Sequence, residues 1–376
     1  MEELSSNSTF PTPVIGNLLT SDLIQLIVFF ILFIVGLPVN ISTLIYMLKR
    51  YQHARSFLLL IHINLNISDI LVLGVHLPGL MGWLITSQWL AGNAMCKIMR
   101  FLDAFVWAAS SNIMVCVALY RLTALRYPLW VSAVGHSQVP RMLATAWTLA
   151  AISTSPQLFI WRQVEFPNIT QCQSIWANKI SLERMERLQN PGVDPSVMMT
   201  EDDMWWMKFY DIQHVIIIFY IPLFILVVCY FLIVKDIYKT LNNDQDSSSV
   251  MYMSEISRLS TCGKRVAPKE STSLVSVAVR PIRGQDKFKR AKVRSLRITL
   301  LLILTYAITW LPYNLLTWWM IISFDTFTDY QEALFPLGFL VILNSVINPF
   351  IYGRFQGLKL LFSCKKTKNK RKWLRS

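Results

Sequence analysis

The stretch Met95–Arg121, MCKIMRFLDAFVWAASSNIMVCVALYR, decides how the chain is read. Its body is apolar, yet it carries Asp103 toward one end and Arg121 at the other. They are eighteen residues apart, which at 1.5 Å per helical residue is roughly 27 Å, close to the ~30 Å hydrocarbon thickness of a bilayer. One charge therefore stands near each face of a membrane. Six more apolar runs of spanning length lie at Leu23–Met47, Phe57–Leu84, Met142–Trp161, Ile212–Ile237, Ile298–Ile322 and Ala333–Tyr352, beside this one at Met95–Leu119. With 54% hydrophobic and 15% charged residues, the 376-residue chain is too apolar for a water-soluble surface. The expected fold class is an all-α membrane protein, a bundle of seven transmembrane helices.

Charge sets the expected topology. A net charge of +14 is compatible with a nucleic-acid partner, but its distribution along the chain excludes that partner. No Lys or Arg precedes Lys49; bases then cluster at Lys49, Arg50 and Arg55, at Arg121 and Arg126, at Lys287–Arg297, and from Lys365 to Arg375. Basic loops stay cytoplasmic, so residues 1–22 are expected outside the plasma membrane and the tail inside, touching anionic lipids. The first run is too long for a signal peptide, and no basic residue precedes it.

Within that topology, 23–352 forms the spanning domain. The connections at about 162–211 (outer) and 238–291 (inner) are long; the inner one is Ser-rich and then basic and cannot bury a core. Residues 353–376 form a short amphipathic helix and basic tail, with Cys364 a candidate for palmitoylation. Of the six cysteines, Cys96 and Cys172 alone share the oxidising side, so they are expected to pair. Asn7 and Asn168 open glycosylation sequons on the same side. The acids Glu183, Glu186, Asp194, Glu201, Asp202 and Asp203 in the outer connection would attract a basic ligand or form a solvated face.

Ionisable groups at membrane depth are costly and generally functional. Asp69, with Asn40, Asn344, Ser345 and Asn348, forms either a signalling cluster that holds a sodium ion or a structural hydrogen-bond network. Asp103 shares a helical stripe with Trp107 and Ser110; it would pair with a cationic ligand, or with Arg100 one turn away. Prolines 78, 156, 222, 312 and 349 interrupt the runs, and Trp310 precedes one of them. No residue set has metal-ligand spacing or pairs a nucleophile with a base, so an enzyme is not expected. The odd span count and absence of an internal repeat speak against a transporter.

In order and spacing, Asn40, Leu65-x-x-x-Asp69, Trp89 before Cys96, Arg121 twenty-five residues after that cysteine, Trp147, Pro222 with Tyr230, Trp310-Leu311-Pro312-Tyr313 and Asn348-Pro349-Phe350-Ile351-Tyr352 resemble the rhodopsin-like (class A) G-protein-coupled receptors. Residues 290–299 and the last two motifs are similar to the gonadotropin-releasing hormone and adipokinetic hormone receptor branch. The resemblance implies a short neuropeptide ligand, Gq coupling, and partners such as arrestin, receptor kinases and a second receptor copy. It implies a ligand site at Arg100, Asp103, Trp107, His214, Tyr313 and Asn314. Activation would run through Tyr120, Arg121, Tyr230, Trp310, Asn348, Pro349 and Tyr352. The alternatives are a chemosensory receptor for a lipid-derived or pheromone-like molecule, and a biogenic-amine receptor working through Asp103. One departure stands out: the family usually has an acid before the third-span arginine, and here Tyr120 takes its place, so raised basal activity is expected.

Overall fold

The computed structural model describes residues 20–239 and 283–353, except 168, 191, 193, 197, 325, 328, 329, 331–336 and 338, and leaves out the side chains of 20, 21, 283–296, 352 and 353. Asn7, Asn168, Cys364, the Tyr352 side chain and the tail helix expected after it lie outside the described residues.

Apolar runs become helices because lipid offers the backbone no partner, so each N–H must bond within its own segment. The helices are α1 (Thr20–His53), α2 (Phe57–Thr86), α3 (Gly92–Arg126) and α4 (Pro128–Thr154). A hairpin of β1 (Trp161–Glu165) and β2 (Thr170–Ser174) follows, then α5 (Ile175–Gln189). The chain continues in α6 (Glu201–Lys239), α7 (Arg283–Ile322) and α8 (Ile342–Gly353). All but α5 correspond in order to the seven apolar runs.

Among the described residues, α1, α2, α3, α6 and α7 have the length and hydropathy to cross a membrane. The apolar part of α8 is shorter, Ile342–Ile351. In α4 the apolar run occupies only the later half, because Ser132, His136, Ser137, Gln138 and Arg141 dilute the earlier one. At 35 residues α3 is about 52 Å long, so its ends project beyond the hydrocarbon.

The hub is α3, which packs against α2, α4, α6 and the hairpin. Its buried side is built from Ala104, Ala108, Ala109, Ser110 and Ser111, small residues that let neighbouring backbones approach closely. A similar approach explains Gly36 on α1, where a Cβ would stand 2.9 Å from Val346 and 3.0 Å from Leu73. On the far side of α4, the Trp147 indole donates to Asn64 Oδ1 at 3.1 Å and ties that helix to α2.

Two of the expected proline kinks take a specific form. Val72–His76 in α2 and Ile216–Tyr220 in α6 are π turns, each ending two residues before Pro78 or Pro222. A π turn shifts the hydrogen-bond ladder by one residue and frees carbonyls for side chains. Pro156 lies just past the end of α4, while Pro312 and Pro349 are carried inside α7 and α8.

The segment expected as a plain connection, 162–211, is largely structured. Cys96 and Cys172 are joined, fastening β2 to the first turn of α3. The hairpin also docks through Trp89 N–H to Thr170 O at 2.7 Å and Gln171 Nε2 to Ser87 O at 2.8 Å. The α6 helix begins eleven residues before the apolar run because Thr200 and Asp203 form a capping box.

Candidate functional site

Between the disulfide-bearing ends of the helices, roofed by the hairpin, lies a cavity of about 700 Å³. Of the six residues expected to bind a ligand, Arg100, Asp103, Trp107, His214 and Tyr313 line it. Asn314 does not; it is buried in α7, where its Nδ2 donates to Trp310 O at 2.8 Å. Trp310, read from sequence as part of the signalling set, also lines the cavity. It packs edge-on against Trp107 at 5.6 Å, near Phe219 and Tyr306.

Asp103 is held by the protein itself. His76 Nδ1 lies 2.6 Å from Oδ1, and Arg100 Nη2 lies 3.2 Å from Oδ2. The Arg100 guanidinium is in turn stacked over Trp83 at 4.8 Å and Trp161 at 5.3 Å, which fixes its plane. Of the two alternatives read from the sequence, the pairing of Asp103 with Arg100 is present, and His76 adds a second partner.

In and around this triad the described residues leave polar atoms without hydrogen bonds: Asp103 Oδ2, Arg100 Nε, Gln157 Oε1, Trp310 Nε1, Trp161 Nε1 and His214 Nε2. Gln157 and Trp310 are only 7% and 4% exposed. Buried groups of this kind are rare in folded proteins because each costs about 1–3 kcal/mol. Both donors and acceptors occur among them, within a lining that is otherwise rich in Phe29, Leu80, Leu84, Leu316 and Met320.

Three of the six acids read from the connection, Glu183, Glu186 and Asp203, have internal uses. Glu183 accepts from Arg187 Nη2 at 2.9 Å and Met199 N at 3.3 Å, and Glu186 accepts from Ser196 N and Oγ, both at 2.8 Å. Asp203 receives Lys179 Nζ at 2.6 Å and Thr200 Oγ1 at 2.8 Å. These bonds knit α5 to the start of α6. Asp211, one residue before the fifth apolar run, instead faces the cavity.

Halfway down the bundle, Asn66 Nδ2 donates to Asn40 Oδ1 at 2.6 Å, and Asn40 Nδ2 donates to Ser345 O at 3.1 Å. Asn348 Nδ2 reaches both Asp69 oxygens, at 3.1 and 3.2 Å. The expected cluster is thus assembled from α1, α2 and α8 and is fully buried. Asn344 Oδ1 and Ser345 Oγ, on the helix whose Asn348 reaches Asp69, have no hydrogen-bond partner among the described residues, and neutral oxygens of this kind are the type that ligates a small hard cation. No group of three or more His, Cys, Asp or Glu that could hold a metal ion occurs among the described residues.

At the opposite end, Tyr120 and Tyr230 pack partly buried against the core. Arg121 stands on α3 within electrostatic reach of His62 on α2. One turn further, Arg126 forms a two-point ion pair with Asp236 on α6, at 2.5 and 3.4 Å. The expected signalling set is therefore spread over three depths: Trp310 at the cavity, Asn348 in the middle and Arg121 at the far end. Tyr306 connects the upper two walls. Its hydroxyl donates to Ile218 O at 2.8 Å, a carbonyl of the α6 π turn, and shares a second bond with Ser111 Oγ at 3.1 Å.

Sequence reading missed His76, Gln157, Asp211, Asp236 and Tyr306. For His76 the signal existed, an ionisable residue inside an apolar run. For the others, only the packing reveals the partner.

The family model of the seven transmembrane receptors (rhodopsin family) matches residues 39–352. The chain is similar to the G-protein coupled receptor daf-38 of Caenorhabditis elegans, 29% identical over 89% of each chain. It is similar to the gonadotropin-releasing hormone receptor of Bos mutus grunniens, 27% identical over 93% of this chain and 95% of the relative. Another relative is the cephalotocin receptor 1 of Octopus vulgaris, 26% identical over 93% and 80%.

Proposed function

The chain belongs to the rhodopsin family of seven-transmembrane receptors, and from that premise we propose that its ligand is a short peptide of the gonadotropin-releasing or adipokinetic hormone type. Membership makes it a multi-pass plasma-membrane receptor, not an enzyme, that takes an extracellular ligand and signals to a G protein. The observation that carries the finer reading is the set of unsatisfied donors and acceptors inside the cavity, at Gln157, Trp161, Trp310 and His214. Peptide amides supply both a donor and an acceptor at each residue, and aromatic side chains would fill the apolar lining. Relatives named as gonadotropin-releasing hormone and cephalotocin receptors agree with this chemistry.

The ligand would bind the active arrangement better than the resting one and shift a pre-existing equilibrium. Pressure on Trp107 and Trp310 would be felt by Phe219 and Tyr306, and so by the α6 π turn. The disulfide end, with the N-terminus, faces outward, as the positions of Lys and Arg favour. The G protein is Gq; arrestin and receptor kinases attend the same inner end. A sodium ion at Asp69, with Asn344 and Ser345 as neutral ligands, would favour the resting state by neutralising the buried carboxylate.

The test is a calcium and cAMP screen in transfected cells, against amidated peptides, amines and lipid-like pheromones. A calcium response to amidated peptides is expected. A response confined to lipid-like molecules would move the reading to the chemosensory alternative, and one confined to amines to the biogenic-amine alternative.

A further inference from the structure

The cavity contains three carboxylates, and they are not equivalent. Asp103 is already ion-paired, with His76 at Oδ1 and Arg100 at Oδ2, although Oδ2 makes no hydrogen bond among the described residues. Asp22 lies in the first turn of α1, where a carboxylate is stabilised by the helix N-terminus. Asp211 has neither support. It sits eleven residues into the helix that starts at Glu201, far past the orphan N–H groups of the first turn. It makes no ion pair or hydrogen bond with any described residue, including Lys208 one turn earlier. It is only partly exposed, and it lines the cavity.

Its surroundings are aromatic. Its chain neighbour Tyr210 packs with Trp176 at 5.6 Å and with His214 at 6.0 Å, and His214 and Tyr313 line the cavity together with Asp211. A half-buried carboxylate that shares a cavity lining with Tyr313, Trp310 and His214 is a complementary setting for an organic cation, which would gain a charge-assisted hydrogen bond and cation–π attraction together. A carboxylate left alone in that setting would carry an uncompensated desolvation cost.

We propose that Asp211, not Asp103, is the counter-ion for a basic group of the ligand, an arginine or lysine side chain or a terminal amine. Asp103 then has a positioning role: it holds Arg100 against Trp83 and Trp161 and so keeps the cavity wall in shape. The inference rests on the peptide reading above and names the anchor within that site.

The test uses the purified full-length receptor and two defined probes, Trp-Arg-amide and its uncharged isostere Trp-citrulline-amide, with thermal stabilisation as the readout. The wild type should bind the arginine probe at least about tenfold more tightly than the citrulline one. Asp211→Asn should abolish that preference, while Asp211→Glu and the exposed control Asp202→Asn should retain it. Asp211→Lys should reverse it in favour of Trp-Glu-amide, which covers the case in which the neutral variant is poorly folded. Equal affinity of the two probes for the wild type, or an arginine preference that survives in Asp211→Asn, would overturn the proposal. Either result leaves the receptor reading to be judged separately, by the calcium and cAMP responses of cells expressing the same wild-type chain.

Discussion

The two ends of the bundle are held together by different forces. At the end that holds the cavity, a disulfide, a docked hairpin, the α5 helix and the buried ion pairs of Asp103 with His76 and Arg100 lock the walls before anything binds. At the Arg121 end, a water-accessible ion pair, Arg126 with Asp236, ties α3 to α6. A preformed cavity binds with little reorganisation, whereas an end held by screened charges can open at small cost. That asymmetry suits a molecule that must recognise at one end and move at the other.

The largest effect should come from loosening the rigid end. Cys96→Ser or Cys172→Ser frees a loop closed across 76 residues, a change that typically costs about 2–5 kcal/mol. Surface receptor, measured by antibody on unpermeabilised cells, should fall severely, and the double variant should fall no further than either single one. Normal surface levels and affinity in the single variants would mean that the hairpin's hydrogen bonds alone hold the roof.

Much of this contrast was legible in the sequence. The seven apolar runs, the Cys96–Cys172 pair and the gathering of Asp69 with Asn40 and Asn348 follow from hydropathy, compartment and the cost of burying polar groups. The boundaries were less legible. The early start of α6 had a local signal, Thr200 three residues before Asp203, which was hidden by reading the acids as surface charge. The π turns had none, since a one-residue shift of the ladder leaves hydrophobicity unchanged. The fates of the carboxylates were the least legible: Asp103, Glu183, Asp203 and Asp211 look alike in a list of acids. Only packing shows that three are paired and one lines the cavity without an ion pair or hydrogen bond among the described residues.

A smaller effect is expected at the flexible end. Tyr120 stands where an acid normally restrains Arg121, and raised basal activity was expected from that alone. The Arg126–Asp236 pair supplies a different restraint, because it ties the same helix to α6. Asp236→Arg should raise ligand-free second-messenger output severalfold, and the swap Arg126→Asp with Asp236→Arg should bring it back. Placing an acid at position 120 should lower basal output further without touching the cavity. A charge reversal with no effect on basal signalling, at equal surface expression, would show that this ion pair restrains nothing.

The smallest effect concerns the joint between the two regimes. Tyr306→Phe keeps the fully buried ring against Phe219 and Trp310 but removes the hydroxyl that bridges Ile218 O and Ser111. One lost bond of this kind is worth about 1 kcal/mol, so thermal stability should drop only slightly. Ser111→Ala leaves the Ile218 bond intact and should cost less. If the π-turn carbonyl is how cavity and inner end communicate, Tyr306→Phe should reduce the maximal agonist response more than it reduces affinity, while Ser111→Ala does neither. A double-mutant cycle between the two positions isolates the shared bond. Equal losses of affinity and maximal response in Tyr306→Phe would place the hydroxyl among the groups that merely shape the cavity, and the joint would then have to lie in the Trp107–Trp310 contact.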